Sequence, residues 1–305
     1  MNYKKLLKSR ALRLKLLQLL RFVPDKPMLR LQYRLKMGRK LDLKAPRRFT
    51  EKLQWLKLYY RDPLMPACVD KCDVRSYVQE KGLAHTLTKC YGVFERVEDI
   101  RFEELPNQFV VKDTLGGGGN FVVVVRDKAS VDLEALKERM AKWLQMPHNV
   151  RDGGREWPYY SGKPRRIIIE EFLSQPEGDL TDYKFFCFNG ECELFFVRTV
   201  VEDDHDAGEM AYYDGQKNYL PEIGVDYYTK AKAQLPLPEN IDQMLQLART
   251  LSKDFPHVRV DLYNVEGRIV FGELTFFHMS GYFHFVPDSM DFKLGEKLDL
   301  PEPNN

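Results

Sequence analysis

Two apolar runs on either side of Glu266-Gly267 constrain this 305-residue chain more than any other stretch, because they specify a strand, a turn and a returning strand. Val258, Val260 and Leu262 alternate with Arg259, Asp261 and Tyr263, and after the turn Ile269 and Phe271 alternate with Val270, Gly272 and Glu273. Folded as a hairpin, the segment carries Asp261 near the end of one strand and brings Glu273 back beside it on the partner. Paired carboxylates suit a hard divalent cation. Magnesium takes one or two such oxygens from a protein while nucleotide phosphates and water supply the rest. A surface hairpin with acids on its wet face has the same pattern, so the segment alone leaves both readings open.

The chain is long enough for two or three subdomains around a substantial core. Its 44% hydrophobic content with mixed charge describes an ordinary globular protein. Cys68, Cys72, Cys90, Cys187 and Cys192 form no Cys-x-x-Cys pair, and they read as reduced, partly buried thiols of a cytoplasmic protein.

The net charge of +2 hides an asymmetry, because residues 1–48 hold sixteen Lys or Arg against Asp25 and Asp42 alone. Within that segment Leu6, Leu7, Leu14, Leu17 and Leu20 fall near one helical face, and Lys4, Lys8, Arg13, Lys15 and Arg21 decorate the others. A secretory signal or membrane span is excluded, because Arg10, Arg13 and Lys15 interrupt the apolar run. A basic amphipathic helix of this kind suits peripheral contact between residues 1–21 and an anionic inner-membrane surface, or packing on the body of the protein. No nucleic acid is expected, because the first twenty positions lack interleaved stacking aromatics.

Helical patterns dominate from about residue 3 to residue 90, including a helix with Thr50 near its N-cap and an apolar face of Leu53, Leu56 and Tyr60. From about Asn107 the character changes to short strands. Phe109–Lys112 and Phe121–Arg126 flank Asp113-Thr-Leu-Gly-Gly-Gly-Gly-Asn120, a charged helix follows at about 131–144, and a third strand spans Arg166–Glu170. Four glycines, Gly116, Gly117, Gly118 and Gly119, let a backbone lie against a phosphate with its N–H groups turned inward. The loop is neither a Walker loop, since no Gly-Lys-Ser/Thr follows, nor a Rossmann fingerprint, since a strand continues from it. Lys112 ends the preceding strand, where its ammonium can stand beside such phosphates. Ile167-Ile-Ile-Glu170-Glu171-Phe172-Leu173 is an apolar strand ending in two acids, suited to presenting backbone groups and an acid to an adenine edge.

In this order the elements resemble the ATP-grasp superfamily, and more closely its TupA-like polysaccharide-cluster branch, often labelled glycosyltransferase, over roughly residues 47–285. The closer likeness lies in Phe49-Thr-Glu-Lys-Leu-Gln-Trp-Leu-Lys, Asp182-Tyr-Lys-Phe-Phe-Cys-Phe-Asn-Gly-Glu191 and Gly272-Glu-Leu-Thr-Phe-Phe277. The resemblance implies an α+β, ATP-grasp fold with a basic helical N-terminal extension (1–48), a helical subdomain (49–106), a lid with the glycine flap (107–172) and a catalytic subdomain with the metal site (173–305). It also implies Lys71 of Asp70-Lys71 and Lys112 on the ATP phosphates, Glu170, Glu171 and Leu173 at the adenine, and Asp182 at the ribose. Asp261 and Glu273 would hold magnesium, and Arg259 would meet the transferred phosphoryl group, with Lys184 a further cation. Thr275 stands where the superfamily usually has Asn, which puts a smaller ligand at the second metal position.

The activity so implied is an ATP- and magnesium-dependent carboxylate-amine ligase that forms an amide through an acyl phosphate. Its partners would be a sugar acid or other carboxylate and an amine or amino acid, in surface polysaccharide assembly. The acceptor is expected between hinge and metal hairpin, where Arg198, the acidic run Glu202–Asp206 and Tyr212, Tyr213 and Tyr219 fall, with His278, Ser280, Gly281, Tyr282 and His284 as further lining. Two alternatives stand beside it. A metal-dependent glycosyltransferase would use Asp204-His205-Asp206, and a nucleotide-binding or membrane-docking protein would turn nothing over.

Overall fold

The computed structural model describes residues 19–117, 121–147, 153–160, 162–174, 180–199 and 208–304. Gly118, Gly119, most of the basic amphipathic segment and Asp204-His205-Asp206 lie outside the described residues.

Two sheets organise the chain. The smaller uses β1 (Cys90–Phe94), β2 (Phe109–Asp113), β3 (Val122–Val125) and β4 (Ile167–Glu171) in the order β1-β4-β2-β3, all antiparallel. Its alternation is a division of labour. Phe109, Val111, Ile167 and Ile169 are buried with Leu136, Met140 and Trp143 of the helix Leu133–Leu144, which starts where the Asp132 carboxylate accepts from the Ala135 N–H. Lys112 and Glu170 share the other face, since Lys112 pairs with Ile168 and Val110 with Glu170. Sequence alone places the start of the lid at residue 107, but the smaller sheet takes its edge strand from Cys90–Phe94, where the register on β4 shifts between Cys90 and Gly92 and blurs the alternation.

After β4 the chain crosses to a second sheet. It comprises β5 (Asp182–Phe188), β6 (Glu191–Arg198) and β7 (Glu209–Asp214), then, beyond the two-residue β8 (Gly224–Val225), β9 (Thr229–Lys230), β10 (His257–Val265) and β11 (Arg268–Thr275). The order is β11-β10-β5-β6-β7-β9, and β8 pairs separately with β12 (Phe285–Val286). One face, with Tyr183, Phe185, Val258, Val260, Leu262 and Leu274, belongs to the main core with Met244, Leu245 and Ala248 of the helix Ile241–Ser252. The other face carries the polar residues of the same strands.

The hairpin forms as read, with Glu266 and Gly267 both at positive φ (51° and 88°), as a tight two-residue turn requires. Simple alternation then fails at Gly272. Asp261 pairs with Glu273 but Leu262 pairs with Phe271, so Gly272 is the extra residue of a bulge. A Cβ there would lie 3.0 Å from the Asp261 carbonyl oxygen and 3.2 Å from the Tyr263 ring, which is why glycine occupies it.

The helix Phe49–Tyr59 begins one residue before Thr50, with Tyr60 as its C-cap. Glu51 accepts from the Arg47 and Arg48 N–H groups, both at 3.1 Å. Thr50 is committed instead to Asp291, which takes its N–H at 2.9 Å and its hydroxyl at 2.8 Å. Arg155, buried and at positive φ, fastens the start of the described chain by donating to the carbonyls of Leu20 and Val23 and to Asp25, each at 2.9 Å.

His257 lies among aromatic rings, 4.7 Å from Phe188 and 4.8 Å from Phe49 between centroids. Its Nδ1 donates to the Cys187 carbonyl at 2.9 Å and its Nε2 has no partner, so protonation would bury a charge, and burial pulls its pKa down to about 3. Between that value and the ordinary 6.5 the unfolded chain binds a proton that the native ring refuses, so stability falls as pH falls. We predict that His257 alone costs the native state about 1.4 kcal/mol between about pH 7.5 and pH 5.5. Denaturant unfolding of His257→Phe at the two pH values should show a loss smaller by that amount than the wild type's.

Candidate active site

The hairpin register and the neighbouring β5 bring together six of the residues singled out in the sequence. Asp261 stands opposite Glu273 on β11 and Lys184 on β5, Arg259 opposite Thr275, and Tyr263 opposite Asp182, so all these side chains share the polar face. Asp261 is 4% exposed, which makes its partners decisive. Arg259 grips it with Nε at 2.6 Å and Nη2 at 2.7 Å, a two-toothed contact, and Lys184 donates at 2.7 Å. Lys184 also reaches Asp182 at 3.2 Å. Arg259 Nη2 further donates to Thr275 Oγ1 at 3.0 Å and lies 3.3 Å from Glu273, and the Thr275 hydroxyl donates to the same Glu273 oxygen at 3.0 Å.

The protonation states follow. Burial opposes ionisation of Asp261, yet Arg259 and Lys184 hold its pKa below the usual carboxylate range. Burial likewise opposes the charge on Lys184, and Asp261 and Asp182 outweigh it. His278 packs beyond Arg259. Its Nδ1 meets Arg259 Nη1, which can only donate, so the ring hydrogen sits on Nε2 and points to the Tyr227 oxygen at 2.6 Å. Burial, with Arg259 and Lys184 nearby, holds His278 well below the ordinary histidine range.

Lys112 comes from β2 of the smaller sheet, and Lys71 from the turn that follows the short helix Met65–Val69. Lys71 donates to the Gly116 carbonyl; burial lowers its pKa, while Glu273 counters and Lys112 adds to the effect. Asp70 sets the turn that aims it, accepting from the Cys72 and Asp73 N–H groups at 2.8 and 3.0 Å and from Arg166 at 2.9 Å. Gly116 is required by packing, because a Cβ would meet Phe121 at 2.2 Å, whereas a Cβ at Gly117 would meet none of the described residues. Lys112 pairs with Glu170 at 2.8 Å, and Arg75 and Thr88 bind the other Glu170 oxygen at 3.0 and 2.6 Å. Despite burial, these partners keep Glu170 below the usual glutamate range. Glu171 is held by Arg268 of β11 at 2.9 and 3.1 Å, so a salt bridge spans the two sheets. Leu173 is half-buried just past β4.

Of the acceptor segment, Arg198 and Tyr212 lie on the polar face. Tyr213 points to the opposite side and packs on Tyr219, and His284 pairs with Asp226 at 2.8 Å, apart from the cluster. Arg75, Arg166 and Tyr227 escaped sequence reading, because their partners lie far away in the chain and no local pattern marks them. The donor set suits a hard cation: Asp261 and Glu273 offer carboxylate oxygens from facing positions, Thr275 adds a hydroxyl, and none of these is a soft ligand.

Two largely antiparallel sheets, one bearing a glycine loop and lysine and the other a facing carboxylate pair, define an ATP-grasp fold. The chain belongs to the TupA-like ATP-grasp family, whose pattern matches residues 51–299. No curated protein sequence matches it. Similar solved structures include D-alanine–D-alanine ligase from Bacillus anthracis, at 18% identity and TM-score 0.44, over 68% of this chain and 57% of that one. The Helicobacter pylori enzyme of the same name has 13% identity and TM-score 0.42, over 82% and 69%. The ADP complex of purK, N5-carboxyaminoimidazole ribonucleotide synthetase, has 15% identity and TM-score 0.42, over 74% and 50%. The chain thus spans little more than half the length of the first of these proteins.

Replacing Asp261 by Asn strands Arg259 and Lys184 in a buried position without their shared counter-ion. Asp261→Asn is expected to lower stability by about 3–5 kcal/mol, read by denaturant unfolding.

Proposed function

We propose that the protein is an ATP- and magnesium-dependent carboxylate-amine ligase that joins an amino acid or amine to a sugar acid in surface polysaccharide assembly. The observation that carries this reading is the Asp261–Glu273 pair facing across β10 and β11, with Arg259 gripping Asp261 from the same side. Asp261, Glu273 and Thr275 would hold the magnesium, which supplies charge neutralisation on the phosphoryl oxygens. Lys71 and Lys112 would release Gly116 and Glu170 to meet ATP phosphates, and Arg259 would face the γ-phosphoryl group as charge spreads over it.

A substrate carboxylate oxygen attacks the γ-phosphorus and the bond to the ADP oxygen breaks, giving an acyl phosphate. The amine nitrogen then attacks the acyl carbon, inorganic phosphate leaves, and the nitrogen gives up a proton as the amide forms. Closure of the glycine loop would exclude water, to which an acyl phosphate is vulnerable. Glu170, Glu171 and Leu173 would meet the adenine, mainly through backbone groups since both carboxylates are paired, and Asp182 the ribose. Work on a surface polysaccharide suits a cytoplasmic protein resting on the inner membrane face. Among the described residues no helix is long and apolar enough to cross a membrane.

Two outcomes test the proposal. Glu273→Gln, at a half-exposed carboxylate, should leave the melting temperature within a few degrees while reducing ATP-dependent hydroxamate formation from uronic acids and hydroxylamine at least about 100-fold. Near-normal turnover would remove the metal assignment. Deleting residues 1–18 leaves Leu20 and its bond to Arg155 in place. The shortened chain should bind anionic vesicles more weakly, with the difference vanishing at high salt.

A further inference from the structure

Arg198 closes β6 opposite Asp182 and Met210, on the polar face of the large sheet. Its side chain is 9% exposed, and among the described residues its one ion pair is a long one, Nη1 to Asp182 at 3.8 Å, with an acid that Lys184 already holds at 3.2 Å. Among the described residues, Nε and Nη2 of Arg198 have no hydrogen-bond partner. The guanidinium is not loose, because it stacks on the Tyr228 ring at 4.2 Å. Arg259 shows what that edge does elsewhere in this fold: its own Nε and Nη2 grip the two oxygens of Asp261. Two arginines thus stand on one sheet face, one with its fork filled by a carboxylate and the other with the same fork empty of protein. Burying unmatched donors is unfavourable for the folded chain, and planar two-oxygen anions are what a guanidinium fork fits best.

We infer that Arg198 anchors an oxyanion of the acceptor substrate, a carboxylate or phosphate group, in a subsite beside the phosphoryl-transfer centre. The identity of that centre rests on the ligase reading; the subsite itself rests on the Arg198 geometry. Ion pairs from Arg198 through Asp182 and Lys184 to Asp261, at 3.8, 3.2 and 2.7 Å, connect the two. Gly208 lies beside the guanidinium, since a Cβ there would come within 3.6 Å of Arg198 Nε, and the Thr199 carbonyl leaves no room for that Cβ. Tyr228 fixes the guanidinium plane and so the direction from which the anion enters.

The test is calorimetric titration of the full chain with D-glucuronate and with inorganic phosphate, each with and without Mg-ADP, and with Mg-ADP alone. Wild type is expected to bind at least one oxyanion saturably. Arg198→Met should weaken that binding at least about tenfold, and Arg198→Lys, which keeps the charge but not the fork, should restore only part of it. Mg-ADP affinity should stay within about twofold in both variants. Arg198→Met should melt at or above the wild-type temperature, because it removes buried donors without partners. Undiminished oxyanion binding by Arg198→Met, or none by wild type, would overturn the inference. Loss of Mg-ADP affinity in the variants would also overturn it, by moving Arg198 to the nucleotide. Oxyanion binding through Arg198 in a protein that never binds Mg-ADP would leave the subsite standing and remove the ligase reading instead.

Discussion

The buried carboxylate of Asp261 is the constraint around which the rest of the molecule is arranged. An ionised acid with so little exposure survives only with cations at contact distance, and Arg259 and Lys184 come from two different strands to provide them. Those cations in turn need company. Lys184 is shared with Asp182, and Arg259 with Glu273, Thr275 and the lone pair of His278. The result is a charged layer in which removing Asp261 takes a shared counter-ion from Arg259 and Lys184 at once. A phosphoryl group arriving at that layer would find its counter-charges already in position.

Both sheets solve the same problem in the same way. Each has one face closed by a single amphipathic helix, Leu133–Leu144 for the smaller and Ile241–Ser252 for the larger, and each keeps its charged residues on the other face. Period-two alternation therefore does double work, building a core and furnishing a cleft from the same strands. Lys71 comes from neither sheet but from the turn after the short helix Met65–Val69, and it feels charges from both. The Arg268–Glu171 pair links the last strand of the smaller sheet to the β10–β11 hairpin near the point where the chain crosses from one sheet to the other.

Much of this was legible in the sequence where the deciding physics is local. The Glu266-Gly267 turn and the alternation around Asp261 specify the hairpin, and the strand ending at Lys112 and the run to Glu170 announce their own faces. What was hidden depends on distant partners. Thr50 resembles an N-cap until Asp291, far along the chain, is seen to take both its donors. Tyr212 and Tyr213 look like one aromatic group, but as neighbours in a strand they serve opposite faces. The unfilled fork of Arg198 cannot be read from any spacing, because it is defined by which partners fail to arrive.

The Gly272 bulge has a consequence that belongs to arithmetic rather than chemistry. In a strand, which face a residue serves depends only on whether its position is odd or even, and the bulge adds the single step that sets Glu273 on the side of Asp261. The site's acid pair is thus protected by parity. Replacing a side chain in β11 alters one position at a time. Gaining or losing one residue between the turn and Glu273 exchanges every inward and outward position at once, burying the acid and exposing Leu274. Such a strand can drift in composition yet must keep its length, and a one-residue difference there would mark a relative in which Glu273 no longer faces Asp261.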